Sequence, residues 1–272
     1  VVIAPDTKVT MRSIWKGAIS FGLVTIPVAL YSATEDRTPK FKMLRRGDHS
    51  PIRYRRVAEA DGEEVPWEDI VRGYEVEKGT YVVFTDEELE AVAADGPKII
   101  DVVQFVDESE IDPIYYKSSY YLVPDETGSK AYRILLRALE EKGKVAIAKV
   151  AIRDKQHLAT LRPRDGVLVM ETMFWPDEIR APAFPELEQE VEIRPEELQL
   201  AEVLIDNLSR PFDPAAFSDP SRERIEELAR KKLEGEEIVT PAAQEPAKVV
   251  DLLEALKASV EATRAEKEAA AG

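Results

Sequence analysis

A succession of short, β-branched apolar runs, separated by turn formers rather than by regularly spaced helices, is what most constrains the fold of this chain. Ile14–Ser20, Val24–Ala33, Ile99–Val106, Ser119–Val123, Val145–Ile152, His157–Leu161 and Val167–Phe174 all have the length and residue types of strands. The last two flank Arg164-Asp165-Gly166, and an Asp-Gly pair supplies the left-handed backbone that a tight hairpin needs. Parallel strands would need a long crossover between partners, usually a helix. Most connections here carry none, so the pattern points to an antiparallel barrel and not to a doubly wound sheet. Pro27, which has no N–H to give to a ladder, marks an edge or a strand end in the second run. Phe41–Arg46 and Ile52–Val57 read as charged strands or a hairpin, separated by the turn formers Gly47–Pro51, and Tyr81–Phe84 as another strand.

Helices enter at defined places. Thr85-Asp86-Glu87-Glu88 has the spacing of a capping box and opens a short helix through Val92. Lys130–Lys142 puts Tyr132, Leu135, Leu136 and Leu139 on one face and stops at Gly143. After Phe174 the chain changes character. Ala181–Pro185 is irregular, and Pro195 starts a helix with Leu198, Ala201, Ile205 and Leu208 in a stripe. Asp219-Pro220 is an N-cap followed by a first-turn proline, and that helix runs to Gly235. Glu236–Lys248 is a polar, proline-containing linker. Val249–Thr263 is amphipathic through Val249, Leu252, Leu253, Leu256 and Val260. An isolated helix of that size is marginal in water, so it is expected to dock on something. Residues 1–10, ahead of Met11, are expected to be an extension outside the fold.

The catalytic inventory is thin. The chain has no cysteine, which fits a reducing intracellular compartment and removes disulfides, thiolate metal sites and Cys nucleophiles. His49 and His157 are the two histidines, so paired-histidine zinc sites and most Ser-His-Asp arrangements have little to build on. No phosphate-binding glycine motif occurs, and no apolar run is long enough to span a membrane. Asp125, with Glu140 and Lys142, loosely matches the carboxylate–carboxylate–lysine signature of metal-dependent nucleases. Here the second pair falls at the far end of a helix, where that chemistry calls for a strand. No enzyme activity, cofactor or metal is expected.

Charge is the informative property. The net formal charge is −16, which argues against DNA as a partner until its distribution is considered. Residues 1–165 hold 25 Lys and Arg against 28 acids, whereas residues 166–272 hold 12 against 25. From Arg37 to Arg56 there are eight basic residues and one acid; from Lys130 to Arg164 there are ten and three. Lys40, Lys42, Arg45, Arg46, Arg53, Arg55 and Arg56 form the first group of candidate phosphate contacts. Arg153, Lys155, Arg162 and Arg164, flanking the last hairpin, form the second. Strand alternation puts Arg53 and Arg55 on one face. A basic ribbon with few amide side chains suits phosphate contact and not base readout. The acidic second half leaves open a protein–protein scaffold as an alternative.

Met11–Glu35 (MRSIWKGAISFGLVTIPVALYSATE) closely resembles the opening of bacterial Ku proteins. The likeness continues through Ile52–Val57, Asp61–Val65, Tyr115–Pro124 and Trp175–Arg180, to about Glu234, with a weaker match at Val250–Leu256. The resemblance implies a mixed β fold with α: a Ku-type β-barrel core over residues 11–193, with an inserted β bridge at about 37–74, and a C-terminal helical arm at 194–235. It implies a homodimeric ring that holds double-stranded DNA ends without sequence preference and recruits DNA ligase D in non-homologous end joining. The ligase would meet the segment 249–272 through Leu252, Leu253, Leu256 and Val260. A bacterial cytoplasmic, nucleoid-associated location follows from the same resemblance. Ala58 and Asp61 stand where some relatives carry Cys, so no metal is expected there. The lysine-rich end of many relatives has no counterpart in Arg264–Gly272.

Overall fold

Hairpins build most of the observed architecture. The computed structural model describes residues 11–93, 98–152, 155–235 and 252–271, in two compact units. The first takes in the chain up to Arg37 and Lys42–Ala181; the second takes in Thr38–Phe41 and the chain from Pro182 onward.

In the first unit, β1 (Trp15–Phe21) turns at Gly22, whose φ of 58° only glycine adopts without cost, into β2 (Val24–Ser32). β7 (Lys144–Ile152), β8 (Lys155–Arg164) and β9 (Val167–Met173) form a meander. Its last turn is the expected one, with Asp165 and Gly166 both at positive φ. With β5 (Ile99–Asp107) and β6 (Tyr116–Pro124) these strands close a barrel in the order β1-β2-β6-β9-β8-β7-β5. The pairing is antiparallel except at one seam. β1 and β5 run parallel over Ala18↔Ile99, Ile19↔Ile100 and Ser20↔Asp101, which corrects the all-antiparallel expectation. Gly17 makes that seam possible, because a Cβ there would lie 2.1 Å from the Lys98 carbonyl oxygen.

Pro27 is neither at a sheet edge nor at a strand end, the two places its missing N–H suggests. It pairs with Ala18 inside β2, and its carbonyl accepts from Asp125 N at 3.2 Å just past the last β2–β6 rung, Val28↔Pro124. The absent donor therefore falls where β6 has ended.

Alternate residues of the wall share one apolar cluster, which in a closed barrel means that they point inward. Ile19, Ile26, Leu30, Ile100, Leu122, Leu161, Leu168 and Met170 are fully buried, and each such side chain contributes about 1.5–3 kcal/mol. α2 (Ser129–Lys142) adds Tyr132, Leu135, Leu136 and Leu139 to this cluster and ends at Gly143 with φ 60°. The Tyr132 hydroxyl donates to Leu122 O at 2.6 Å and accepts from Leu168 N at 2.7 Å. It thereby supplies the last rung between β6 and β9, where the two backbones part.

Between β2 and β5 the chain leaves the barrel wall. β3 (Arg72–Glu77) and β4 (Thr80–Phe84) form a separate two-stranded sheet. Thr85 and Glu88 exchange the reciprocal capping-box bonds that open α1 (Asp86–Ala93).

In the second unit α3 (Pro195–Leu208) and α5 (Leu252–Ala271) pack together, and α4 (Pro220–Glu234) is capped by Asp219, which accepts from Ser221 N and Arg222 N. The stripe expected on α3 needs correction. Glu197, Leu200, Ala201, Leu204 and Asn207 are the half-buried set, so of the expected stripe Ala201 is partly covered, whereas Leu198, Ile205 and Leu208 are exposed. α5 starts at Leu252 and continues beyond Thr263, further than its apolar spacing indicated. The extension 1–10, the linker 236–248 and Val249 lie outside the described residues.

Candidate nucleic-acid interface

The first basic segment folds as a narrow, irregular hairpin and not as two regular strands. Phe41–Arg46 and Ile52–Val57 meet only at an isolated bridge, Leu44↔Pro51, with Arg45 N donating to Ser50 O and Ile52 N to Met43 O. A second bridge, Val57↔Glu64, ties the middle segment to 63–65, with Val65 N donating to Arg56 O.

The turn at 45–50 is closed by charge. Arg45 Nε donates to Asp48 Oδ1 at 2.8 Å, a second guanidinium nitrogen reaches Asp48 Oδ2, and Ser50 donates to the same carboxylate from N and Oγ. These bonds, the arginine's first, hold the Asp48 carboxyl well below its ordinary range. Arg45 is thus engaged within its own turn.

Alternation gives the ribbon two faces. Lys42, Leu44, Arg53, Arg55 and Val57 share one; Met43, Ile52, Tyr54, Arg56, Val65 and Trp67 share the other. On the first face Arg55 pairs with Glu64 at 2.9 Å, an exposed bridge of little intrinsic strength that a phosphate can replace. Lys42, Arg46 and Arg53 are exposed and have no carboxylate partner among the described residues. On the second face Arg56 lies over the Trp67 ring at 4.6 Å. Lys40, also exposed, belongs to the second unit.

The second basic group is not one surface. β8 is ten residues long, so Lys155 at its start and Arg164 at its end stand about 30 Å apart. Arg153 lies outside the described residues. Arg162 has another partner: it grips Glu171 across the β8–β9 hairpin at 2.9 and 2.8 Å, with Glu108 at 3.9 Å. Its side chain is mostly covered, and the Glu171 bonds raise its pKa further above the ordinary arginine value. Arg164 is exposed and leans on Asp165 at 3.3 Å.

Near Lys155 the fold brings in a cation that sequence reasoning missed. Lys117, on β6, sits 4.9 Å over the Phe174 ring, and its charge together with that of Lys155 acts on His157. Burial is the larger cause of the lowered His157 pKa. Lys117 stands between tyrosines and serines in sequence, and only the β6–β9–β8 register reveals its neighbours.

The nuclease-like constellation is not assembled. Asp125 accepts from Thr127 Oγ1 and Gly128 N, both at 2.8 Å, in the turn before α2. Glu140 and Lys142 stand at that helix's other end, roughly 16 Å along the axis. Among the described residues no group of three or more His, Cys, Asp or Glu is placed to hold a metal ion, and no helix is long and apolar enough to cross a membrane. On α5, Leu253, Leu256 and Val260 are half-buried and Leu252 is exposed.

A profile of the Ku70/Ku80 beta-barrel domain matches residues 20–200. The chain is 50% identical over 256 residues to the non-homologous end joining protein Ku of Frankia casuarinae, covering 94% of this chain and 65% of that protein. It is 44% identical over 264 residues to the protein of the same name from Heliobacterium modesticaldum, covering 96% of both. With that of Mycobacterium tuberculosis the identity is 41% over 261 residues, covering 93% of this chain and 96% of the relative. The Symbiobacterium thermophilum relative, like that of Frankia, is matched over 65% of its length, so the chain spans about two thirds of those two proteins. A closed barrel with a basic excursion between β2 and β5, and this degree of identity along nearly the whole chain, establish that it belongs to the Ku family.

Proposed function

We propose that the chain binds the ends of double-stranded DNA without reading sequence, as a ring of two copies, and serves non-homologous end joining as a non-enzymatic factor. The observation that carries this reading is the two-faced ribbon, with Lys42, Arg53 and Arg55 aligned on one face. That face offers charge and no amide side chain, which suits phosphates and leaves base edges unread. The relatives' shared name supports the pathway.

In this reading residues 37–74 are the bridge that arches over DNA, with Lys40, Lys42, Arg45, Arg46, Arg53 and Arg55 toward the phosphates, while Arg56 is turned to the other face and lies over Trp67. Arg45 reaches them only by giving up Asp48. Lys155 and Arg164 add contacts at separate ends of the barrel. Residues 194–235 form the arm that embraces the second copy. DNA ligase D is recruited through α5; because Leu253, Leu256 and Val260 are half-buried, exposed Leu252 is the residue it meets first.

Binding to a linear duplex and to a closed circle of the same sequence, each with and without Mg²⁺, tests the proposal. Tight binding to the linear form alone, with no cleavage, is expected. Equal binding to the circle would overturn the ring. Mg²⁺-dependent cleavage would restore the nuclease alternative, and absence of DNA affinity would leave an acidic scaffold.

A further inference from the structure

The ribbon's second face has no role in phosphate binding, yet it carries the ribbon's largest exposed rings. Tyr54 is 78% exposed and Trp67 73%. Both are held in place by neighbours: the Tyr54 hydroxyl donates to Met43 Sδ at 3.6 Å, and the Arg56 guanidinium covers the Trp67 indole at 4.6 Å. Ile52 and Met43 extend this face and are also exposed. A surface of this kind, aromatic rings with a stacked guanidinium, is what unpaired bases bind: every base has a π-face, and the charge of Arg56 on this face, with that of Lys42 and Arg53 on the reverse of the same narrow ribbon, attracts the strand that carries it. A protein segment would gain from the rings too, but not from the surrounding positive charge.

Resting on the proposed binding of DNA ends, we propose that Tyr54 and Trp67, with Arg56, form a stacking platform for unpaired bases of a single-stranded extension at the end. The basic face would hold the duplex phosphates while the extension passes to the opposite face. No base edge is read, so the platform accepts any sequence but discriminates extended from blunt ends.

The test uses the full chain, a blunt duplex, the same duplex with a 3′ oligothymidine extension, and oligothymidine alone. The extension is expected to tighten binding about fivefold or more, the lower bound for one stacked base, and to quench tryptophan emission. Trp67→Leu should lose both effects and leave blunt-duplex affinity within about twofold, whereas Trp67→Phe should keep most of the gain. Both side chains are exposed, so neither change threatens folding. An extension that adds no affinity, or a gain that survives in a Tyr54→Leu/Trp67→Leu variant, would overturn the platform. Loss of blunt-duplex binding with quenching by oligothymidine retained would instead sink the end-binding reading and leave the platform standing.

Discussion

Arg162 shows how little of a residue's task its charge reveals. It sits in a basic run and was expected to touch phosphate, but Glu171, two rungs away across the hairpin, takes its guanidinium in two short bonds. Nothing in the spacing of positions 162 and 171 announces that pair until the register of β8 and β9 is fixed. Removing Glu171 leaves a mostly covered guanidinium with only the long contact to Glu108 at 3.9 Å. Glu171→Ala should therefore cost about 2–3 kcal/mol, below the range for a fully enclosed pair because a fifth of the Arg162 side chain meets solvent. The joint replacement Arg162→Met/Glu171→Leu should recover most of it. Urea unfolding midpoints decide this, and a Glu171→Ala midpoint equal to that of the parent would show the pair to be idle. His157 gives a pH dependence of known sign. Burial first, then the charges of Lys117 and Lys155, lower its pKa below the ordinary 6.5, against an opposing pull from Glu178. The folded chain thus holds that proton more weakly than the unfolded chain. Stability is full above the unfolded value and falls as pH drops through it toward the folded one. His157→Gln should flatten the loss between pH 7.5 and 5.5 in a denaturation series; an unchanged profile would assign the loss elsewhere.

Elements whose signals are local could be read from sequence, and α2 is the clearest. Its buried face, its glycine stop and its length follow from spacing alone. The same holds for the Asp-Gly hairpin and for the Thr85 capping box. The features that escaped reading all depend on partners distant in sequence. The parallel β1–β5 seam joins residues some eighty positions apart by the pairing Ala18↔Ile99, and no local pattern encodes it. The ribbon's alternation was legible, giving Arg53 and Arg55 a common face, but its pairing into isolated bridges was not. On α3 two apolar stripes coexist, and only the packing of α5 decides which is covered. Tyr132 belongs to both kinds: its burial was visible in the helical spacing, whereas its hydroxyl's place between Leu122 and Leu168 was not. Tyr132→Phe keeps the ring and strands a buried carbonyl and a buried N–H. A loss of about 2–6 kcal/mol is expected, at about 1–3 for each of the two orphaned groups. The denaturant slope should stay constant, because the surface exposed on unfolding is unchanged. A loss under 1 kcal/mol would mean that β6 and β9 close the rung without the hydroxyl.

At the scale of the molecule, the proposed binding of a polyanion has to be reconciled with a net charge of −16. Segregation does so: the acid excess is concentrated beyond residue 166, while Lys42, Arg46 and Arg53 stand on the ribbon without carboxylate partners among the described residues. Attraction is then local, and repulsion elsewhere discourages DNA from settling on other surfaces. Such binding must be strongly salt-dependent, with the slope of log affinity against log salt steepening by about 0.9 for each phosphate neutralised. The slope also counts copies. Lys42→Ala/Arg53→Ala removes two contacts from each chain, so a ring of two chains loses four and its slope should flatten by about 3.6. If a single chain engages the duplex, the change is about 1.8. A titration of linear duplex over a salt series distinguishes these outcomes without any structure of the complex. An unchanged slope would remove the ribbon from the DNA-binding surface altogether, and with it the argument that confinement of positive charge, rather than its total, makes an acidic chain a DNA-binding one.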